Sequence, residues 1–410
     1  MTGAPTISRA RHAFGLYLGV LQLFFTLSWA AYVIYLPKLA GQAGIDKKWV
    51  LWILVLDQII FAVCDWSMGV AADRVSRVAG RLGKWVALVT VASCAAFLLL
   101  PFVAPAGNPW PFLALTVLWT ATSSALRAPP LVLLGKYVPK PAQPWLASLM
   151  LFGLGVAGAL SPYLTVLLRE ADPRLPFAIA SIAVLTVTLG LSWAERTLSL
   201  PASAPRPEAP ARRGVSNLPA VAFFAGIALL GIGFQVHFAL NAAPTFLKFA
   251  RPADLEKLMP LFWVGFSLLV LPASRLARSL GGLAAMAIGA LAGSVAAWAA
   301  MSASGIGPLV AAQLVAGGAW GCVLVSATAG ALAIGHTGRE GRILGGMFSL
   351  FALATFMRIA VVASQLNKRP GISSLLPWTP IAVWLAASVL LSAAARRARS
   401  REPAPRLAGA

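Results

Sequence analysis

Acidic residues are scarce in this chain. Only 12 Asp and Glu stand against 33 Lys and Arg in 410 residues, and charged residues make up 11% of the whole. Soluble domains carry about 25% charged residues, so a water-soluble fold is excluded. Cysteine and histidine are equally thin, at three each, and no HExxH, GxSxG or Walker A pattern occurs. Zinc-dependent hydrolysis, serine hydrolysis and phosphate-loop chemistry therefore have no constellation to build on, and neither cofactor nor metal is expected. Cys64, Cys94 and Cys322 all fall in apolar stretches, which implies no extracellular disulfide. GLGVAG at 153–158 has the GxGxxG form, but it lies inside an apolar run with no strand before it. It reads as small-residue helix packing rather than dinucleotide binding.

Apolar residues, by contrast, make up 59% of the chain, with a mean hydropathy of +0.81. A helix needs about 20 apolar residues to cross about 30 Å of hydrocarbon. By that ruler, spans fall near 13–36, 50–71, 85–105, 110–135, 144–168 and 176–194, then near 218–242, 257–277, 282–303, 307–334, 343–366 and 376–395. The expected architecture is an all-α membrane protein of twelve transmembrane helices. With the N-terminus inside, 21 Lys and Arg residues fall in cytoplasmic segments and ten outside. The positive-inside rule then sets both termini in the cytoplasm of an inner-membrane, multi-pass protein. The net charge of +21 is topology rather than a nucleic-acid footprint, so the expected partners are membrane lipid, protons and a small-molecule substrate. The first apolar run is too long for a signal-peptide core and reads as a retained helix.

A Pro-, Ala- and Arg-rich segment at 194–217 cannot build a core and reads as a cytoplasmic linker. It divides an N-terminal six-helix bundle (1–193) from a C-terminal one (218–395), with a solvated tail at 396–410. Repeated halves of this kind underlie many secondary transporters, with substrate bound between them. LPASRLARSLGG (271–282) echoes, after span eight, the loop GVAADRVSRVAGRLG (69–83) after span two. In the span-two segment, Asp65, Gly69 and Asp73 recur every four residues along one slowly drifting face. Gly69 allows close approach of another helix, while Asp73, Arg74 and Arg81 mark the cytoplasmic end.

The run DWSMGVAADRVSRVAGRLGKW (65–85) resembles the loop signature of the major facilitator superfamily, and most closely its sugar–cation symporters, typified by the melibiose carrier. The aspartates, Gly69, Gly80-Arg81 and Trp85 keep that branch's spacing. LWTATSSALRAPP (118–130) keeps it at Leu118-Trp119 and Pro129, and EGRILGGMFSLFALATFMR (340–358) more weakly. The resemblance implies two pseudo-symmetric six-helix bundles working by alternating access. It also implies departures. Where the melibiose carrier has a sugar-binding aspartate, this chain has Arg127, a permanent cation with five donors. Of the branch's sodium ligands only Asp65 is kept; Phe61, Cys64 and Ser124 stand at the others. One carboxylate with a hydroxyl nearby suits a proton better than sodium.

Ionisable residues inside a bilayer are costly and usually face a partner or a transport path. Counted from the loops at about 1.5 Å per residue, Asp65 and Arg127 fall at one depth, and so do Asp57 and Arg358. Two pairs are expected, with Asp57–Arg358 bridging spans two and eleven as an outer gate. Static salt bridges that fix register remain the alternative for both. Asp65 is the expected proton site and Arg127 the substrate anchor. Ser124, Trp119, Tyr32, Gln235, Asn241 and Trp320 are expected to line the substrate cavity. Gln313 is expected there too, while His237 reads as an interfacial residue. The function expected is proton-coupled movement of a small organic solute bearing a negative charge. The alternatives are proton antiport of an amphipathic drug or metabolite, and a transport-inactive assembly factor or sensor.

Overall fold

The computed structural model describes residues 9–78, 81–199, 218–335 and 338–400. Gly80 of the span-two loop, the linker from 200 to 217 and the tail beyond 400 lie outside the described residues. The described chain is helical, as hydrocarbon requires: no water is there to bond a free N–H or C=O, so each segment must satisfy its own backbone. Among the described residues, eleven helices are long and apolar enough to cross a membrane. They correspond to every expected span but the fourth.

Span four is broken rather than continuous. It runs as Pro109–Ser123, tightens to a 3-10 turn at Ser124–Leu126, and restarts as Ala128–Tyr137. Pro129 and Pro130 supply the cause. Neither has an N–H to continue the ladder, and proline is tolerated only in the first turn of a new helix. Arg127 sits at the break, with φ −97° and ψ −77°. Span seven is irregular too: Leu218–Phe234 widens to a π-helix over Gln235–Asn241 before Ala242–Phe246. Span six continues to Ser199, past the expected start of the linker, and Glu195 on it is fully buried. Its carboxylate accepts from Gly83 N at 2.8 Å and from the Tyr137 hydroxyl at 3.2 Å, tying span six to spans three and four.

The packing repeats between halves. Span one packs on five and six, three on four and six, and two on four. The corresponding pairs recur as seven on eleven and twelve, nine on ten and twelve, and eight on ten. Between the halves, span two packs on eleven and span five on eight, and these two contacts are each other's counterparts. Glycines make both close. A Cβ on Gly69 would strike the Gly341 carbonyl, and one on Gly345 would meet the Asp65 carbonyl. The GLGVAG glycines act as packing residues: Gly153 lies against Gly19 of span one, Gly155 against Phe266 and Gly158 against Trp263 of span eight.

Candidate functional site

The site lies where span four breaks, beside span two and facing span eleven (Glu340–Ala363). Arg127 Nη1 is 2.6 Å from Asp65 Oδ2, and the Asp65 side chain is fully buried while that of Arg127 keeps 20% of its surface. Neither Asp65 oxygen accepts a well-aligned hydrogen bond, so charge alone holds the pair. The guanidinium carbon lies 4.9 Å from the Phe61 ring on span two and 5.2 Å from the Phe348 ring on span eleven. A cation between two aromatic faces, one from each half, is stabilised by both quadrupoles. Ser124, at the same break, is fully buried beside the Asp65 carboxylate.

Asp57 and Arg358 do not meet. The Asp57 carboxylate accepts from the Tyr32 hydroxyl and from Thr120 Oγ1, both at 2.8 Å and both within the N-terminal half. Rotation explains the miss. Asp57 is twelve residues from Gly69, which faces span eleven, and that spacing turns it about 120° around the helix. Depth adds to it. Span eleven ends at Ala363 and Gln365 adopts a left-handed turn (φ 59°), so counting helical rise from Lys368 set Arg358 too deep. The expected outer gate is therefore absent from this conformation.

At the C-terminal end of span two, Asp73 accepts from Gly341 N at 2.7 Å and Arg342 N at 2.8 Å. These are among the orphan donors of span eleven's first turn, so a carboxylate of one half caps a helix of the other. Arg74 and Arg81 are exposed. Lys136 Nζ donates to the Ser76 carbonyl, closing the end of span two.

The remaining expected residues divide. Tyr32 is fully buried with its hydroxyl committed to Asp57, and Trp119 is 4% exposed within a cluster with Trp29, Tyr32 and Phe97. Tyr32 thus bonds within the N-terminal half, while Trp119 borders a small cavity of that half with Ser28, Phe97 and Ser123. Gln235 Nε2 donates to Thr355 Oγ1 of span eleven at 2.8 Å, and Asn241 Nδ2 to the Leu376 carbonyl at 2.8 Å. Trp320 stacks on Phe234 with ring centroids 4.5 Å apart. His237 is not interfacial: it is 3% exposed, 3.2 Å from Gln313 Oε1 and tilted against Trp384. Span seven runs outward to Phe246, which leaves His237 more than two turns inside. Gln313, 1% exposed, is the partner in this pairing. The sequence reading missed Thr120, Glu195 and Phe348. Glu195 had a signal, because a chain with so few acids gives each one weight; Thr120 and Phe348 had none.

No protein-family model and no curated protein matches the sequence. Solved structures do match. The human organic anion transporter MFSD10 (TETRAN) superposes with a TM-score of 0.68 at 14% identity, covering 95% of this chain and 99% of that one. The proton:xylose symporter XylE, bound to 6-bromo-6-deoxy-D-glucose, gives 0.60 at 13% identity, with 96% and 95% covered. The chain has the all-α major facilitator fold.

Proposed function

We propose that this protein carries a small organic anion across the inner membrane by alternating access, with Asp65 as the proton carrier and both termini cytoplasmic. The observation behind this reading is the buried Asp65–Arg127 pair, set between aromatic rings of the two halves. A guanidinium matches a carboxylate or sulfonate as well as it matches Asp65. Solute anion and Asp65 thus compete for one cation. A proton on Asp65 removes its claim, and Arg127 is free for the solute. Proton and anion then enter together, and the neutralised site lets the halves exchange contacts. The TM-score to an organic anion transporter and to a proton symporter accords with this reading.

The test uses proteoliposomes and radiolabelled p-toluenesulfonate, which stays ionised and does not leak through lipid as a neutral acid. Asp65→Asn is expected to keep exchange at equal concentrations and to lose accumulation driven by an acid-outside gradient. Undiminished uphill transport in that variant removes Asp65 from the mechanism.

A second reading rests on a groove of about 540 Å³ between spans two, seven and eleven, lined by Val63, Trp66, Phe224, Gly346 and Leu350. Val63 and Trp66 are exposed on this flank, at bilayer depth, so an amphipathic solute could reach it from the lipid. Export of such a solute by proton antiport would appear as resistance to lipophilic cations, with no uptake of p-toluenesulfonate.

A further inference from the structure

Arg358 is a cation within span eleven that has no carboxylate partner among the described residues. Its Nε is buried without a hydrogen-bond partner. Arg127 has Asp65 and two aromatic faces; Arg358 has none of these. Its direction follows from span eleven. Phe348, Phe351, Thr355 and Arg358 fall at helical spacing on one face. Phe348 meets Arg127, Phe351 packs edge-on to Trp320, and Thr355 accepts from Gln235. The exposed, lipid-facing residues Leu353 and Met357 lie about 100–140° away on the same helix. Arg358 therefore looks inward rather than toward lipid.

Spans seven and eleven run side by side in the same direction, with Gly231 against Phe351 and Ala354, and Gln235 against Thr355. That register sets Arg358 level with the π-helix Gln235–Asn241. A π turn is an uncommon conformation that recurs at functional sites, because it widens the helix and leaves polar backbone without regular partners. Nearby stand the stacked rings of Phe234, Phe238 and Trp320. A guanidinium whose Nε is buried and unbonded, an irregular helix opposite and flat apolar rings on the same half together suit a flat organic anion.

We infer that Arg358, opposite the π-helix of span seven, binds the carboxylate or sulfonate of an aromatic or similarly flat anion. This second anion site lies on the C-terminal half, about 15 Å outward of the Arg127 level by helical rise. The inference rests on the anion-transport reading above and extends it. The solute would meet Arg358 first and Arg127 after it, since one unpaired cation needs no proton to receive it and the other does.

The experiment is thermal unfolding of the purified full chain in maltoside micelles, titrated with benzenesulfonate, benzoate and neutral benzamide. A ligand that binds only the folded state raises the melting temperature in proportion to its affinity. Both anions are expected to stabilise the wild type, and benzamide is not. Arg358→Gln is expected to lose this shift, and Arg358→Lys to weaken apparent affinity about tenfold, because lysine keeps the charge but not the fork. The double variant Asp65→Ala/Arg127→Ala is expected to retain the shift. Arg358→Gln without ligand should unfold no earlier than the wild type, since it removes an uncompensated charge and orphans nothing.

Three results would overturn the site. Arg358→Gln could keep the full anion response while the double variant loses it, which moves the anion to Arg127 and leaves the transport reading intact. Phosphatidylglycerol could stabilise where neither soluble anion does, which assigns Arg358 to a lipid headgroup. Last, no anion response in the wild type would remove the site, while the exchange assay with p-toluenesulfonate judges transport separately.

Discussion

The two ends of span two, outer and inner in the proposed orientation, carry the same functional group in opposite settings. Asp57, toward the first end, is held by two hydroxyls of its own half; Asp73, at the other, is held by two backbone N–H groups of the other half. Asp65 stands midway, paired with a guanidinium of its own half that also touches Phe348 of the other. The three are eight residues apart, and each step turns the carboxylate about 80° around the helix. One helix thus swings its acids from the interior of one bundle, past the break in span four, onto the neighbouring bundle. Partners within a half move with the helix. Partners across the halves must be given up when the halves separate. Asp57 is therefore expected to serve structure and Asp73 the contact between the halves, with Asp65 between these roles.

The largest effect is expected at the middle position. Arg127→Ala leaves Asp65 fully buried without its only cation, and breaking a buried pair from one side costs about 3–5 kcal/mol. Denaturant or thermal unfolding of the purified protein should show it. The double variant Arg127→Ala/Asp65→Ala should recover most of the loss, because it removes the orphaned charge as well. Asp65→Ala alone should cost less, since Arg127 keeps partial exposure and two aromatic faces. Equal losses in the two single variants would contradict this ordering.

The intermediate effect belongs to Asp57. Tyr32→Phe and Thr120→Val each delete one donor to a buried carboxylate, at about 1–3 kcal/mol apiece. Because every partner lies in the N-terminal half, both variants should lower stability while leaving the apparent affinity for any transported solute unchanged. A large change in transport affinity, with stability intact, would place Asp57 on the path instead.

Much of this arrangement could be read from the sequence, and what was lost has a common cause. Hydropathy finds span existence and loop charge, because both are set by length and composition. The Asp65–Arg127 meeting followed from depth alone, because helical rise counted from the loops places the two at one level. Asp57–Arg358 failed because depth says nothing about which way a side chain points. A rotation of about 120° defeats a match in height. Residue type alone did not give the partner of Tyr32, because a tyrosine beside a buried aspartate is drawn to it by the hydrogen bond. The π-helix of span seven left no mark in the sequence: its i→i+5 bonding depends on packing against spans ten, eleven and twelve rather than on local propensity.

The smallest energy, and the clearest bearing on movement, is expected at the inner end. Asp73→Asn keeps an oxygen that can accept from one of the two N–H groups, but it replaces the other with an amide and removes the negative charge from the start of span eleven. A charge at a helix N-terminus is worth about 0.3–1 kcal/mol, and up to about 2 when partly buried. Unfolding should therefore barely register the change. The balance between inner-closed and inner-open arrangements should register it fully, because these bonds exist only while the halves touch there. A shift of about 1 kcal/mol is about fivefold in that equilibrium. Spin labels on cysteines introduced as Val78→Cys and Arg339→Cys, both exposed positions flanking the contact, report it directly. Asp73→Asn should broaden the distance distribution toward longer separations, and Tyr32→Phe should leave it unchanged. If the two variants broaden it equally, the inner carboxylate has no special hold on span eleven. If neither does, the closed contact rests on the backbone packing of Gly69 against Gly341, and Gly69→Ala becomes the variant that opens it.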